Sequence, residues 1–445
     1  MASASRPAKH GVRLHDLEIP SPKRSRKLLS SWEGFFPYYA GYPETFAHAV
    51  LSSARLPAGA TVLDPWNGSG TTTHTASRLG FAAHGLDLNP VMVVVARARL
   101  LPQSEASHLK PLAAAVVSHT SDVISSLRND DPLLAWFEPT TAAEVRALER
   151  NIGRTLLAES AAAQGSAQLD QISGTTATFY VALFSACRQL VQQFTSSNPT
   201  WLRRPRTHEQ KISIGRLEVG RLFKANVAAM ADALAALGAK AELPLDRIQP
   251  EISVADTASF RLEPHSVDFV LTSPPYCTRI DYTAATRIEL AVLDSLVSIK
   301  ARELAGKMIG STHVPAHEIE PADDWGPTCL QFLDRVRSHP SKASAGYYYK
   351  THLDYFHKLS ASVANLADGL RSSGSAVLVV QDSHYKEIHN DLPSIVSELA
   401  EQKGFTLIRR QDFHLKRSMV GIHPHSRSYR QAAGAVEAVL CFHKA

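Results

Sequence analysis

Thr61-Val62-Leu63-Asp64-Pro65-Trp66-Asn67-Gly68-Ser69-Gly70-Thr71-Thr72 decides how this chain folds. Thr61 to Pro65 reads as a buried strand, two glycines follow, and Thr71 to Leu79 can open a helix that Gly80 caps. Glycines at 68 and 70 remove side chains where the backbone must turn tightly and approach a ligand. A second strand, Ala83 to Asp87, then ends in a carboxylate 19 residues past Gly68. This is a plan for gripping an adenosine ribose, with glycines under the ligand and an acid on its hydroxyls. A dinucleotide site is the rival, but Thr73 stands where the third glycine of Gly-x-Gly-x-x-Gly would be.

Downstream, the apolar run Val267-Asp268-Phe269-Val270-Leu271 breaks into Thr272-Ser273-Pro274-Pro275-Tyr276. Two consecutive prolines have fixed φ and no N–H, so the turn is stiff and the carbonyls beside it stay free to accept. Ser273 adds an acceptor and Tyr276 a flat ring. Acceptors and a stacking face without a strong nucleophile suit a planar amine such as the exocyclic NH2 of a nucleobase.

Both segments resemble those of the amino-group DNA methyltransferases, which use S-adenosylmethionine to methylate N4 of cytosine or N6 of adenine. Ser273-Pro274-Pro275-Tyr276 is similar to the catalytic motif of that family, and Asp64 to Thr72 to its cofactor motif, with Trp66 where Phe is usual. Gly85-Leu86-Asp87-Leu88-Asn89-Pro90 continues the likeness. The resemblance implies a cofactor site formed by Asp64, Pro65, Gly68, Ser69, Gly70, Thr71 and Asp87, with Asp256 on the adenine amine. It further implies that the aromatic-rich segment Trp32 to Pro43 closes over the methionine end. Ser, rather than Asp or Asn, at the first motif position tilts the likeness toward N4 of cytosine. N6-adenine, an RNA or tRNA amine, and a SAM- or DNA-binding regulator without activity remain alternatives. Cysteine directly follows the proline pair in the C5-cytosine enzymes, whereas Tyr276 holds that place here, so Cys277 reads as a bystander.

At 445 residues the chain can bury a full core, and the spacing of its strands implies a doubly wound, mostly parallel seven-stranded α/β sheet. In the terms of the resemblance this is a class I SAM-dependent methyltransferase, Rossmann-like, with a large helical insertion. Later strands are expected at Ile252 to Asp256, Ser375 to Gln381, Phe405 to Arg409 and Ala435 to Phe442, with a helix through Phe356 and Leu370 ended by Gly374. Boundaries follow: a basic, flexible tail at 1–30, the cofactor part at 31–100, a helical insertion at 101–245, and the catalytic part at 246–445 with a second insertion near 283–347. Within the first insertion Thr141 to Glu144 reads as a capping box, and Val227, Met230, Leu234 and Leu237 as a core stripe.

The net charge of +5 is unevenly spread. Residues 1–30 hold seven basic and two acidic side chains, and residues 151–224 nine and four. In the insertion Trp201, Arg203, Arg204 and Arg206 combine guanidinium groups with an indole, a pattern that suits phosphate contact and base stacking. With Arg279 beside the catalytic loop, they are the expected DNA contacts. Apolar stretches long enough to span a bilayer are absent, which points to the cytoplasm. Cys187, Cys277, Cys329 and Cys441 have neither zinc nor disulfide spacing. A cognate restriction or defence partner is a further expectation of the resemblance.

Overall fold

A computed structural model of the chain describes residues 12–24, 35–36, 41–118, 127–156, 169–196, 202–215, 217–238, 248–278, 281–297, 299–315, 318–414 and 435–445. Seven strands form one sheet: β1 (Thr61–Asp64), β2 (Ala82–Asp87), β3 (Glu251–Val254), β4 (Val267–Thr272), β5 (Leu370–Gln381), β8 (Phe405–His414) and β9 (Val436–Lys444). A separate hairpin, β6 (Ser383–Tyr385) with β7 (Ile388–Asn390), follows β5. The order is β3-β2-β1-β4-β5-β9-β8, and β9 runs antiparallel to both its neighbours while the other pairs are parallel. The expected doubly wound, mostly parallel, Rossmann-like sheet is therefore what forms.

From β1 the chain steps outward to β2 and β3, then returns to β4 on the other side of β1. The strand order reverses between β1 and β4, and a crevice opens at their carboxyl ends. Both motifs emerge there: Pro65 to Gly70 from β1, and Ser273 to Tyr276 from β4.

The period of two along β5 separates the two faces of the sheet. Val377 and Val379 pack with Phe46, Val50 and Leu51 of helix α1 (Glu44–Ser53), whereas Ala376, Leu378 and Val380 pack with Phe356, Leu359 and Val363 on the opposite face. Burial of an apolar side chain contributes about 1.5 to 3 kcal/mol, so this alternation fixes the register of the central strands. Glycine-loop helix α2 (Thr71–Arg78) and helix α3 (Pro90–Arg99) complete the first half of the winding.

Between β2 and β3 the described residues also include four helices: α4 (Ala106–Ser118), α5 (Pro139–Leu156), α6 (Gly174–Leu190) and α7 (Glu218–Gly238). They share a core with α3 that includes Trp136, Phe179, Tyr180, Val227 and Met230. A buried ionic knot ties this body to the segment after the Ser273 to Tyr276 loop. Arg146 on α5 pairs with Asp131 at 3.1 Å and Glu149 at 3.4 Å, and donates to the carbonyls of Ala291 and Val292 at 2.8 Å. Arg188 on α6 pairs with the fully buried Glu289 and donates to the Ala285 carbonyl at 2.7 Å. The second insertion accordingly divides: Ile288, Leu290 and Leu293 join the helical core, while Trp325, Phe332 and Val336 cover the sheet.

Three expectations change. The helix before β5 ends at Gly369, not Gly374, because Leu370 already pairs with Val267. Ser373 takes a φ of +70°, and a Cβ at Gly374 would lie 2.7 Å from Leu370 and 2.8 Å from the Arg371 carbonyl, so Gly374 serves an irregular strand entry rather than a helix cap. α5 starts at Pro139, which puts Thr141 inside its first turns, where its Oγ1 accepts from the Ile214 N–H at 3.2 Å. Residues 12–24 of the supposed tail lie against the sheet: Leu14, Leu17 and Ile19 are buried, and Arg409 donates to the carbonyls of His15 and Leu17. The remainder of 1–30 lies outside the described residues.

Arg146→Ala would leave Asp131 and Glu149 buried without their cation. We expect unfolding in urea to lose about 3 to 5 kcal/mol of stability; a loss below about 1 kcal/mol would show that the knot does not hold the insertion to the core.

Candidate functional site

The crevice is built on Asp64. Its carboxylate, only 4% exposed, accepts from Thr72 Oγ1 and Thr272 Oγ1, each at 2.6 Å, and from the Trp66 N–H at 3.2 Å. Burial lifts its pKa to about 6 despite these bonds. The acid thus joins β1, α2 and the last residue of β4. Its side chain is spent inside the protein and acts on the crevice by fixing the two loops. Pro65 works in the same way, its carbonyl accepting from Thr257 Oγ1 at 2.6 Å.

The glycine turn is held from beneath. Asn67 is buried, takes the Leu86 carbonyl with its N–H at 2.9 Å, and accepts from Thr73 Oγ1 at 3.0 Å. A Cβ at Gly85 would lie 2.6 Å from the Asn67 amide, which explains that glycine. Gly70 has a φ of +78°, and a Cβ there would come within 2.9 Å of Ala96. Asp87 accepts from the N–H groups of Gly68 and Asn89 at 2.8 Å each. Two donors leave about half of a carboxylate's lone-pair sites free. Burial raises this carboxyl to about 6 as well, with the two N–H bonds opposing. Asp256 forms a local turn, accepting from the Ala258 N–H at 3.0 Å, the role of an ordinary strand-terminal Asp.

Positive charge gathers at one end. Arg99, itself buried, donates to Thr71 Oγ1 at 3.1 Å and pairs with Glu44 at 3.0 Å. Arg24 donates to the Tyr42 carbonyl at 3.3 Å and reaches Thr71 Oγ1 at 3.4 Å. With Phe35, Phe36, Ser69 and Val95 they line a small cleft. Tyr42 lies under the turn, 2.6 Å from Thr72 Oγ1, and donates to the Leu271 carbonyl at 3.1 Å. Most of the aromatic segment 32–43 lies outside the described residues, but Phe35, Phe36 and Tyr42 reach this region.

Across the crevice stands the loop from Ser273 to Tyr276. Ser273 Oγ donates to the Val379 carbonyl of β5 at 3.0 Å, which leaves its lone pairs to accept. The Pro275 carbonyl is taken by the Tyr355 hydroxyl at 2.7 Å, whereas the Pro274 carbonyl has no partner among the described residues. Tyr276 is partly exposed and its hydroxyl donates to Glu437 of β9 at 2.8 Å. Burial, then Glu437, holds that phenol well above its ordinary pKa. Tyr282 bridges the two halves: burial lifts it to about 12, a backbone hydrogen bond from Tyr276 opposes, and Asp87 raises it further. Asn89 Nδ2 donates to Thr286 Oγ1 at 2.9 Å and ties the cofactor-side turn to the same segment.

The structure thus brings Pro65, Gly68, Ser69, Gly70, Thr71, Asp87 and Ser273 to Tyr276 around one crevice. Arg203, Arg204 and Arg206 lie apart from it, exposed along a broad groove bordered by Gln189, Phe194 and Lys211. Arg204 stacks on Trp136, 5.6 Å from the ring centre, and Trp136 Nε1 donates to the Arg203 carbonyl at 3.0 Å. Trp201 and Arg279 lie outside the described residues. Arg24, Arg99, Tyr282, Tyr355 and Glu437 were not foreseen. Glu437 had a usable signal, since it is the only charge in the strand Ala435 to Phe442.

No family model matches the chain, and no curated protein does. Among solved structures it is similar to phosphoethanolamine N-methyltransferase 2 of Haemonchus contortus, a complex with phosphomonomethylethanolamine and S-adenosylhomocysteine. Identity there is 9% and the TM-score 0.30, over 93% of this chain and 56% of that one, so the chain matches little more than half of that protein's length. A second is the rRNA methyltransferase aviRa of Streptomyces viridochromogenes, with 12% identity and a TM-score of 0.25 over 91% and 87% of the two chains. Both likenesses are too loose to carry chemistry across. Among the described residues no helix is long and apolar enough to cross a membrane.

Gly85→Ala should force Asn67 aside and cost about 1 to 3 kcal/mol. An unchanged thermal unfolding midpoint would show that the turn has room to yield.

Proposed function

We propose that the chain is an S-adenosylmethionine-dependent DNA methyltransferase that transfers a methyl group to the exocyclic amine of a flipped base, with N4 of cytosine the favoured target. The observation that carries this reading is the pair of acceptors at the end of β4: a Ser273 hydroxyl whose proton is engaged by Val379, and a Pro274 carbonyl without a partner among the described residues. Two acceptors and no nucleophile match the two protons of an amino group.

The opposite wall fits the cofactor. The left-handed Gly70 lets the turn pack tightly on Ala96, Asp87 retains acceptor capacity for ribose hydroxyls, and Arg24 and Arg99 offer charge for an amino-acid carboxylate. When bound, S-adenosylmethionine supplies an electrophilic methyl group on a positively charged sulfur. Ser273 and Pro274 hold the two amine protons so that the nitrogen pyramidalises and its lone pair withdraws from the ring π system. Each such bond contributes on the order of 1 kcal/mol, more as charge develops on nitrogen. Tyr276 offers its ring to the extruded base, a contact worth roughly 1 to 3 kcal/mol against the cost of flipping.

Arg203, Arg204, Arg206 and Lys211 supply a basic groove for the DNA backbone. It borders α6 at Gln189, next to Arg188, whose guanidinium packs 5.4 Å from the Phe36 ring of the cofactor-side cleft. The groove and the crevice therefore share one helix end.

Ser273→Ala should bind S-adenosylmethionine normally by calorimetry yet lose methyl transfer by at least about tenfold; normal turnover would refute the amine-holding role. Ionised Asp87 is the better acceptor for ribose hydroxyls. Because its pKa stands near 6, cofactor affinity should fall as the pH drops from 7 to 5. A flat affinity over that range would remove Asp87 from the ribose role.

A further inference from the structure

An amine that gains a methyl group must lose a proton, and a serine hydroxyl cannot keep it. The amine nitrogen bonds to the methyl carbon while the carbon–sulfur bond breaks; the bonding pair stays on sulfur, and one surplus proton remains on nitrogen. Ser273 is the acceptor nearest that nitrogen in the proposed reading, so the protein needs a route onward from it.

The route is present in the resting structure. The Tyr276 hydroxyl donates to Glu437 Oε1 at 2.8 Å, and the Ser273 side chain stands within hydrogen-bonding reach of Tyr276 while its own proton rests on the Val379 carbonyl. We propose that Ser273, Tyr276 and Glu437 form a proton exit from the target amine, with the Glu437 carboxylate as its terminal acceptor. Ser273 Oγ takes the amine proton and passes its own to Tyr276 Oη; Tyr276 passes its phenolic proton to Glu437. Three protons each move one place, no atom changes oxidation state, and the neutral acid of Glu437 then returns the proton to water. For this the Ser273 hydroxyl turns from the Val379 carbonyl toward Tyr276, a rotation about one single bond.

The surroundings of Glu437 suit an acceptor rather than a buttress. It stands 8% exposed on β9, opposite Gln381 of β5 and Phe413 of β8, neither of which is charged. Among the described residues, the charged or titratable groups that face it are Tyr276 from the loop and Lys23 from the N-terminal segment. Burial raises its pKa, while the Tyr276 bond and Lys23 oppose. A carboxylate lifted in this way takes a proton more readily than an ordinary one. The phenol is held well above its usual range, so Tyr276 works by handing protons on and not by ionising.

This inference rests on the amine-methyltransferase reading, and the test separates the two. One arm needs no turnover: the carboxyl carbon of Glu437 is titrated by 13C NMR in wild-type protein and Tyr276→Phe, with Glu437→Gln assigning the signal. Glu437 should titrate above the ordinary glutamate range, and higher still in Tyr276→Phe, where the donated bond is lost. The second arm is the single-turnover methylation rate against pH on cytosine-containing DNA. The wild-type rate should rise with pH and level off above the Glu437 pKa found by NMR. Glu437→Gln and Tyr276→Phe should each lose that inflection and run at least about tenfold slower on the plateau. A wild-type protein that methylates DNA at a rate independent of pH, or variants that keep the wild-type profile, would overturn the exit. Absence of methylation by the wild-type protein would instead overturn the underlying function, while the NMR arm would still report on the Tyr276–Glu437 bond.

Discussion

The buried carboxylate of Asp64 holds the crevice in register. It accepts the Thr72 and Thr272 hydroxyls together, so the first turn of α2 and the end of β4 cannot move apart without stranding a charge. The glycine turn and the Ser273 loop hang on those two threonines. Desolvation of such a group is expensive, and the rise of its pKa to about 6 measures the part its three donors do not offset. The sheet accepts that cost at its switch point, where two loops from opposite halves of the winding come together.

A second constraint joins this crevice to the helical body. The segment that leaves the Ser273 to Tyr276 loop is gripped by Asn89 from the glycine-turn side and by Arg146 and Arg188 from the insertion. Arg188 also touches Phe36, and its neighbour Gln189 borders the arginine groove. One stretch of chain, from Tyr282 to Val292, thereby feels the glycine turn, the Ser273 to Tyr276 loop and the basic groove at once. Breaking either contact leaves a buried carboxylate without its cation: Asp131 and Glu149 under Arg146, and the fully buried Glu289 under the partly exposed Arg188.

The central sheet was readable because its strands are short apolar runs with turn residues at their ends, and β1, β2 and β4 form where the sequence placed them. What escaped depended on contacts distant in sequence. Ser273 meets Val379, and Tyr276 meets Glu437, across 106 and 161 residues. Gly374 reads as a helix stop, yet strand pairing of Leu370 with Val267 overrides that local signal. Thr141 to Glu144 has the right residue types for a cap, but the helix begins earlier and Thr141 turns to Ile214 instead. Asp64 and Asp87 look alike in sequence; only the structure separates the acid spent on the protein from the one with acceptor capacity left over. The basic N-terminal residues read as a tail because charge density hides Leu14, Leu17 and Ile19, which bury themselves on the sheet.

The central claim is that acceptors at the end of β4 present an exocyclic amine for methylation. The most direct test is to incubate the protein with DNA and S-adenosylmethionine carrying a labelled methyl group, digest the DNA to nucleosides, and identify the labelled species by mass spectrometry. The account predicts label on N4-methyldeoxycytidine, with no label when Ser273 is replaced by alanine. Label on carbon 5 of cytosine, or none in any nucleoside, would contradict it.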